Sequence, residues 1–204
     1  MDPSSTDSTS TDPSGMDLSG IDLSGIDLTT ETVRTARLVL RPFRPDDVDA
    51  VFAACQDPEI PRWISAIGVP YTREDAAAFV TGEAPTQRRE GTGLTVAIEA
   101  DGVLVGSSGV HRIDQHPIGP EVGYWIAPQA RGHGYAAEAA HALADWAIGL
   151  GAPRVYLVAD VANAGSQTVA VRAGFSREGV LRSYLHYRDG RRADAALFSR
   201  LPGD

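Results

Sequence analysis

Between Glu121 and Ala159 the chain runs through a strand pattern, a loop with two glycines, a long helix pattern and a second strand pattern. No other segment constrains the fold as much. Glu121 to Ile126 reads as a core strand carrying the aromatics Tyr124 and Trp125. The helix runs from Tyr135 to about Leu150, because Ala136, Ala139, Ala140, Leu143, Ala147 and Leu150 recur at helical spacing as one small apolar face. Gly149, Gly151 and Pro153 stop it. Val155 to Ala159 is apolar on both faces, as a central strand is.

The flanks supply more strands and helices. Arg37–Arg41 alternates polar and apolar and predicts a strand, ended by Pro42 and Pro45. Asp46 and Asp47 open a helix with Val48, Val51, Phe52 and Cys55 along one stripe, which makes Cys55 a buried structural thiol. Residues 56–71 hold Pro58, Pro61, Gly68 and Pro70 and read as loop. Thr72 is an N-cap for the next helix, with Asp75 three residues on. Leu94–Glu99 and Val103–Val110 form a hairpin about Asp101-Gly102. A short helix follows from Ser166 to Ala173, and a last hairpin turns at Asp189-Gly190. The expected fold class is α/β (α+β), a mixed sheet of about six or seven strands with about four helices.

Composition excludes several functions. The net charge is −9 over 204 residues, and there is no Lys; all 18 basic residues are Arg. That balance argues against a protein that holds nucleic acid by neutralising phosphates. No stretch approaches the ~20 apolar residues of a membrane span, and the acidic, Ser-rich start does not read as a signal peptide. One Cys allows neither an intramolecular disulfide nor a Cys-rich zinc site, and the five His show no metal-ligand spacing. A cytoplasmic protein without metal or membrane is expected.

Much of the negative charge lies in residues 1–32, which carry Asp2, Asp7, Asp12, Asp17, Asp22, Asp27 and Glu31 with no Arg and no aromatic. Such a segment buries too little apolar surface to offset its ordering entropy, so 1–32 is expected to be a disordered tail and 33–204 the folded domain. The tail has a period of five. From Met16 it reads Met-Asp-Leu-Ser-Gly, Ile-Asp-Leu-Ser-Gly, Ile-Asp-Leu-Thr-Thr, which resembles the pentapeptide-repeat family, although three units make less than one coil.

The segment that carries chemistry is Gln129-Ala130-Arg131-Gly132-His133-Gly134-Tyr135-Ala136. Its glycines let backbone approach a ligand closely, and the free N–H groups and positive dipole end of the helix start suit a phosphate. A packing turn without ligand fits the same residues. The segment is neither a Walker loop nor a dinucleotide fingerprint.

Gln-x-x-Gly-x-Gly after a strand resembles motif A of the GCN5-related N-acetyltransferase (GNAT) superfamily. The resemblance runs from about Thr35 to Leu201 and is nearest to the RimJ/RimL-like subgroup. It is carried by Arg37–Pro42, Glu121–Pro128, Asn163–Ser166, and Arg172–Phe175 with Glu178-Gly179. It implies the GNAT fold with splayed central parallel strands, with Tyr124–Ile126 parting from Val155–Val158. It also implies acetyl-CoA as donor co-substrate without metal, and direct attack by a primary amine in a ternary complex. That amine would be a small molecule or a peptide N-terminus. A non-catalytic acetyl-CoA sensor or interaction module is the alternative.

Roles follow from the resemblance position by position. Ile126 and Ala127 would pair with the pantetheine arm, and Trp125 or Ile126 N–H would polarise the acetyl carbonyl. Gln129 belongs to the motif, and the amides of Arg131, Gly132, His133, Gly134, Tyr135 and Ala136 would take the pyrophosphate. Asn163 would bind the pantetheine amide, with a turn residue as its structural alternative. Ser166 would donate to the departing thiolate, or else cap the next helix. Many members of the superfamily place a Tyr in that helix, and Thr168–Arg172 has none. Glu121 stands where histone-type members keep a base, with His111 the second candidate. Trp63 and Tyr71, with Tyr184 and His186 of the last hairpin, would line the acceptor pocket alongside His111. His133 would be exposed and far from the acetyl group, His141 on a helix surface and His116 in a loop. The exposed last hairpin is compatible with a homodimer.

Overall fold

The computed structural model describes residues 21–113 and 119–204. The expected loop position of His116 lies outside them, as does the tail before residue 21. The strands are β1 (Val33–Arg34), β2 (Leu38–Arg41), β3 (Gly93–Ala100), β4 (Val103–His111), β5 (Glu121–Ile126), β6 (Val155–Asp160), β7 (Ser176–His186) and β8 (Arg192–Arg200). They form one sheet in the order β1-β2-β3-β4-β5-β6-β8-β7, so the class agrees with expectation and the strand number is eight. All neighbours are antiparallel except β5 and β6.

Helix α5 (Tyr135–Gly149) packs on one face of the sheet. Its Ala139, Ala140, Leu143, Ala144 and Ala147 are fully buried in one core with Val110 of β4, Val122 of β5 and Leu157 of β6. The other face is covered by α1 (Val48–Ala54), α2 (Glu59–Trp63), α3 (Arg73–Ala78) and α4 (Ala84–Glu90), with one π turn, Phe79–Glu83, joining α3 to α4. Thr72 caps α3 as expected, in a reciprocal box with Asp75. Helix α2 falls in the segment read as loop. Pro58 is its N-cap and Pro61 sits in its first turn, where a missing N–H costs no intrahelical bond. Helix α6 spans Ala164–Arg172.

The N-terminal boundary differs from expectation. Within residues 21–32, Leu28 is buried, and Ile21, Leu23 and Ile26 pack against the α5 side of the core. The Asp22 amide donates to the Leu150 carbonyl at 2.8 Å. The period of five gives each unit its own turn: Asp22 Oδ1 accepts the Ser24 amide and Asp27 Oδ1 the Thr29 amide. Composition alone hides this, because the small body offers an apolar helix end that four aliphatic side chains can cover.

Candidate active site

Strands β5 and β6 pair at a single register position, Glu121 with Tyr156, and then part. The amide of Ala127 donates to Val105 on β4 at 2.9 Å. Backbone direction alternates along a strand, so Trp125 also faces β4, while Tyr124 and Ile126 turn their N–H and C=O toward the gap. Of the amides named from sequence, Ile126 therefore faces the gap and those of Trp125 and Ala127 do not. Ala127 is also buried, so its expected pairing role is corrected to Tyr124 and Ile126.

At the mouth of the gap the chain makes the turn Pro128–Ala130 and enters α5 through Gly132 and Gly134, both at φ +82°. Gly134 is the N-cap, and the first amides of α5 are the donors that a helix start leaves unpaired. Arg37 braces this loop. It donates to the His133 carbonyl at 3.0 Å, pairs with Glu138 at 2.5 Å and lies over the Tyr135 ring. His133 stacks on Tyr135, with centroids 5.4 Å apart. Arg131 folds back instead of reaching outward. Its guanidinium pairs with Asp57 at 2.6 Å and donates to the Ile126 carbonyl at 3.2 Å.

Across the gap, Asn163 caps α6 by accepting the Ser166 amide at 3.0 Å. Its Oδ1 is thereby used. The cap reading for Ser166 is thus corrected: Ser166 is the third residue of the helix and its hydroxyl is turned to Tyr124. The two hydroxyl oxygens are 2.8 Å apart, and the Tyr124 O–H also donates to the Ser166 carbonyl at 3.2 Å. Burial pushes the Tyr124 phenol up to about 12, partly offset by the Ser166 hydrogen bond, so Tyr124 stays a donor near neutrality. Tyr124 packs against the α5-side core, as the strand reading expects, and its hydroxyl in addition reaches α6. Side-chain alternation along β5 carries that signal, since it sends Tyr124 to the sheet face opposite Trp125.

On the helical side of the sheet, His111 and Glu121 are cross-strand partners. Glu121 Oε2 accepts the Tyr156 hydroxyl at 3.0 Å and lies 3.5 Å from Arg112 Nε. The His111 ring lies over two glycines. A Cβ on Gly109 would sit 2.9 Å from its Cε1 and Nε2, and one on Gly123 3.7 Å from Nε2. Gln87 Oε1, which accepts the Thr95 hydroxyl at 2.6 Å, faces Gly93 together with His111 Nδ1. Burial first, and the Arg112 charge second, hold the His111 imidazolium below its usual range.

These parts line one cavity of about 1010 Å³. It brings together Trp63, Tyr71, His111, Glu121, Trp125, Ile126, Arg131, Gly132, Gly134, Tyr135, Ala136, Asn163 and Ser166 from the sequence expectation. Ala127, Gln129, His133, Tyr184 and His186 are not among its walls. Gln129 stands exposed on its turn, and Tyr184 and His186 lie in the outward phase of β7, where Leu185 is the inward residue. Cys55 also lines the cavity, and burial pushes its thiol up to about 11, which suits a wall and not a nucleophile.

A sheet parted beside a glycine-entered helix, with a hydroxyl pair across the gap, defines the site of an acyltransferase. Residues 37–176 match the family model described as the acetyltransferase (GNAT) domain. The uncharacterized N-acetyltransferase YoaA of Bacillus subtilis (strain 168) is 27% identical over 168 residues, 82% of this chain and 94% of its own. Mycobacterium smegmatis RimJ, solved with CoA-disulfide, is 26% identical with a TM-score of 0.72, covering 84% of this chain and 88% of RimJ. The microcin C7 self immunity acetyltransferase MccE, solved with acetyl-CoA and AMP, shares the fold at a TM-score of 0.75 and 18% identity, over 89% of this chain and 98% of MccE. The chain belongs to the GNAT acetyltransferase family.

Proposed function

We propose that this enzyme moves an acetyl group from acetyl-CoA to a primary amine by direct attack. The parting of β5 from β6 carries this reading, because it leaves backbone donors and acceptors of Tyr124 and Ile126 unpaired by β6 beside the cavity, where an extended thioester arm can take the place of a strand. The pantetheine pairs with the Ile126 carbonyl as an added strand, with the Asn163 carboxamide N–H₂ as a further donor. Amides from Arg131 to Ala136 take the pyrophosphate at the positive end of α5. Arg131 must release the Ile126 carbonyl as the arm enters. Ile126 N–H polarises the acetyl carbonyl.

The amine nitrogen attacks the thioester carbon, the C–N bond forms and the C–S bond breaks. The Ser166 hydroxyl, oriented by Tyr124, donates to the departing thiolate. Ser166→Ala is expected to lower kcat roughly 10-fold to 100-fold. Tyr124→Phe should have a smaller effect, and acetyl-CoA affinity by calorimetry should change little in either variant. An unchanged kcat in both would remove the pair from the chemistry.

The attacking amine loses a proton to His111. Glu121 is held by Tyr156 and Arg112, whereas the His111 ring faces the cavity as a neutral base. The sign of the pH effect follows. Neutral imidazole is the active form and burial and Arg112 lower its titration, so the acid limb of kcat in the ternary complex should lie at lower pH than that of an ordinary imidazole, with kcat falling as the ring protonates. His111→Ala should lose roughly 100-fold in kcat together with that acid limb. If Glu121→Gln removes the limb and His111→Ala does not, Glu121 is the base.

A further inference from the structure

Beyond the thioester slot the cavity continues between the sheet and α1–α4, and this half has a chemistry of its own. Its walls include Ile60, Trp63, Ile67, Tyr71, Phe79 and Leu185. Two of its aromatic rings are held by neighbours. Trp63 lies against the Arg62 guanidinium at 4.6 Å, and Phe79 meets Phe43 edge-on at 5.1 Å. The π turn that interrupts α3 and α4 includes both Phe79 and Glu83, which reach the cavity from it. From across the mouth, Arg188 in the β7–β8 turn donates to the carbonyls of Ser65 and Ile67 in the α2–α3 connection. That strap ties the β7–β8 turn to the α2–α3 connection, whose Ala66, Ile67 and Gly68 line the chamber.

Charge in the chamber is one-sided. Among the described residues that line it from α1–α4 and the sheet face, the charged ones are Glu59, Asp75, Glu83 and Glu121, with no Arg. Asp75 is used by Thr72, Glu59 by Arg62 and Glu121 by Tyr156 and Arg112. Among the described residues that line the cavity, the arginines are Arg131 and Arg172, both from the coenzyme side, and Arg131 is paired with Asp57. A carboxylate on the acceptor would therefore enter an apolar chamber with acids in its walls and, among the described residues that line it, no cation; Arg62, Arg112 and Arg188 stand beside it, engaged by Glu59, by Glu121 and by the Ser65 and Ile67 carbonyls. An apolar body meets aromatic and aliphatic walls, and its ammonium meets the carboxylates on the way to His111.

We infer that the acceptor is a small primary amine carried on an apolar, ring-sized body without a carboxylate, seated between Trp63, Ile67, Phe79 and Leu185. This rests on the acetyl-transfer reading above and adds the acceptor's chemical class. The walls select for bulk without charge, which a free apolar amine offers and the polar N-terminal end of a polypeptide does not.

The test is coenzyme A release by the full chain with acetyl-CoA and four acceptors: 2-phenylethylamine, phenylalanine, putrescine and a hexapeptide with an N-terminal Ser. The expected kcat/KM for 2-phenylethylamine exceeds each of the others by roughly tenfold or more, the scale that apolar pockets reach. Trp63→Ala should raise KM for 2-phenylethylamine roughly tenfold with a smaller change in kcat, and leave acetyl-CoA affinity and melting temperature as they were. Phenylalanine, putrescine or the peptide matching or exceeding 2-phenylethylamine overturns the proposal and leaves acetyl transfer standing. Acetyl-CoA binding by calorimetry with no release from 2-phenylethylamine also overturns it. Absence of acetyl-CoA binding instead overturns the reading on which it rests.

Discussion

Gly134→Val is expected to weaken acetyl-CoA binding roughly 100-fold or more, with only a small loss of helix content. Gly134 is the N-cap of α5 at φ +82°, a left-handed conformation that a β-branched residue resists by about 1–2 kcal/mol or more. The backbone would relieve that strain by rotating, and rotation turns the first amides of α5 away from a common point. Hydrogen bonds to a charged group contribute about 1.5–3 kcal/mol each, so misaiming even one or two accounts for the expected loss. A Cβ at Gly134 would also stand 3.6 Å from Arg37 Nη2, whereas one at Gly132 meets nothing within 4 Å. Gly132→Ala thus isolates the conformational part and should cost less. Calorimetric titration of both variants is the measurement, and unchanged affinity in each would take the pyrophosphate away from this loop.

Deleting residues 1–32 should destabilise the protein by about 4–6 kcal/mol, a large share of what a domain of this kind possesses. Leu28 leaves a site where it is 5% exposed, and Ile21, Leu23 and Ile26 leave the α5 side of the core. Arg88 also loses a partner. Its buried guanidinium donates to the Thr95 carbonyl at 2.9 Å and to the Glu31 carbonyl at 2.5 Å, and burial lowers its pKa to about 10 despite the charges of Glu31 and Asp27. Trp146 Nε1 loses the Glu31 carboxylate at 3.1 Å. Urea unfolding of the truncated chain checks this, with a deletion of 1–20 as control. A midpoint equal to that of the full chain would show that the Ile21–Glu31 contacts contribute nothing.

What the sequence revealed was what periodicity and punctuation encode. The α5 face, the Thr72 cap and the hairpins at Asp101-Gly102 and Asp189-Gly190 are local signals, and each stands where expected. Partnership between distant residues is not local. Nothing in the sequence brings Tyr124 to Ser166, or sets Gly109 and Gly123 beneath His111, until β4 and β5 are in register. The resemblance suggested Tyr184 and His186 of the last hairpin as pocket walls, but alternation along β7 selects Leu185 between them. Likewise the acidic composition of residues 21–32 outweighed their four aliphatic side chains in the reading, although tertiary burial is decided by those four.

The single register pair between β5 and β6 also has a mechanical meaning. The eight strands are a five-strand plate, β1 to β5, and a three-strand plate, β6, β8 and β7, hinged where Glu121 meets Tyr156 and spanned on one side by α5. Such a seam bends more easily than any other line in the sheet, because few backbone hydrogen bonds resist it. A ligand that bonds to both plates acts as a splint. Amide exchange along β5 and β6 should slow together when acetyl-CoA fills the gap, while exchange between β2 and β3, far from the hinge, keeps its own pace.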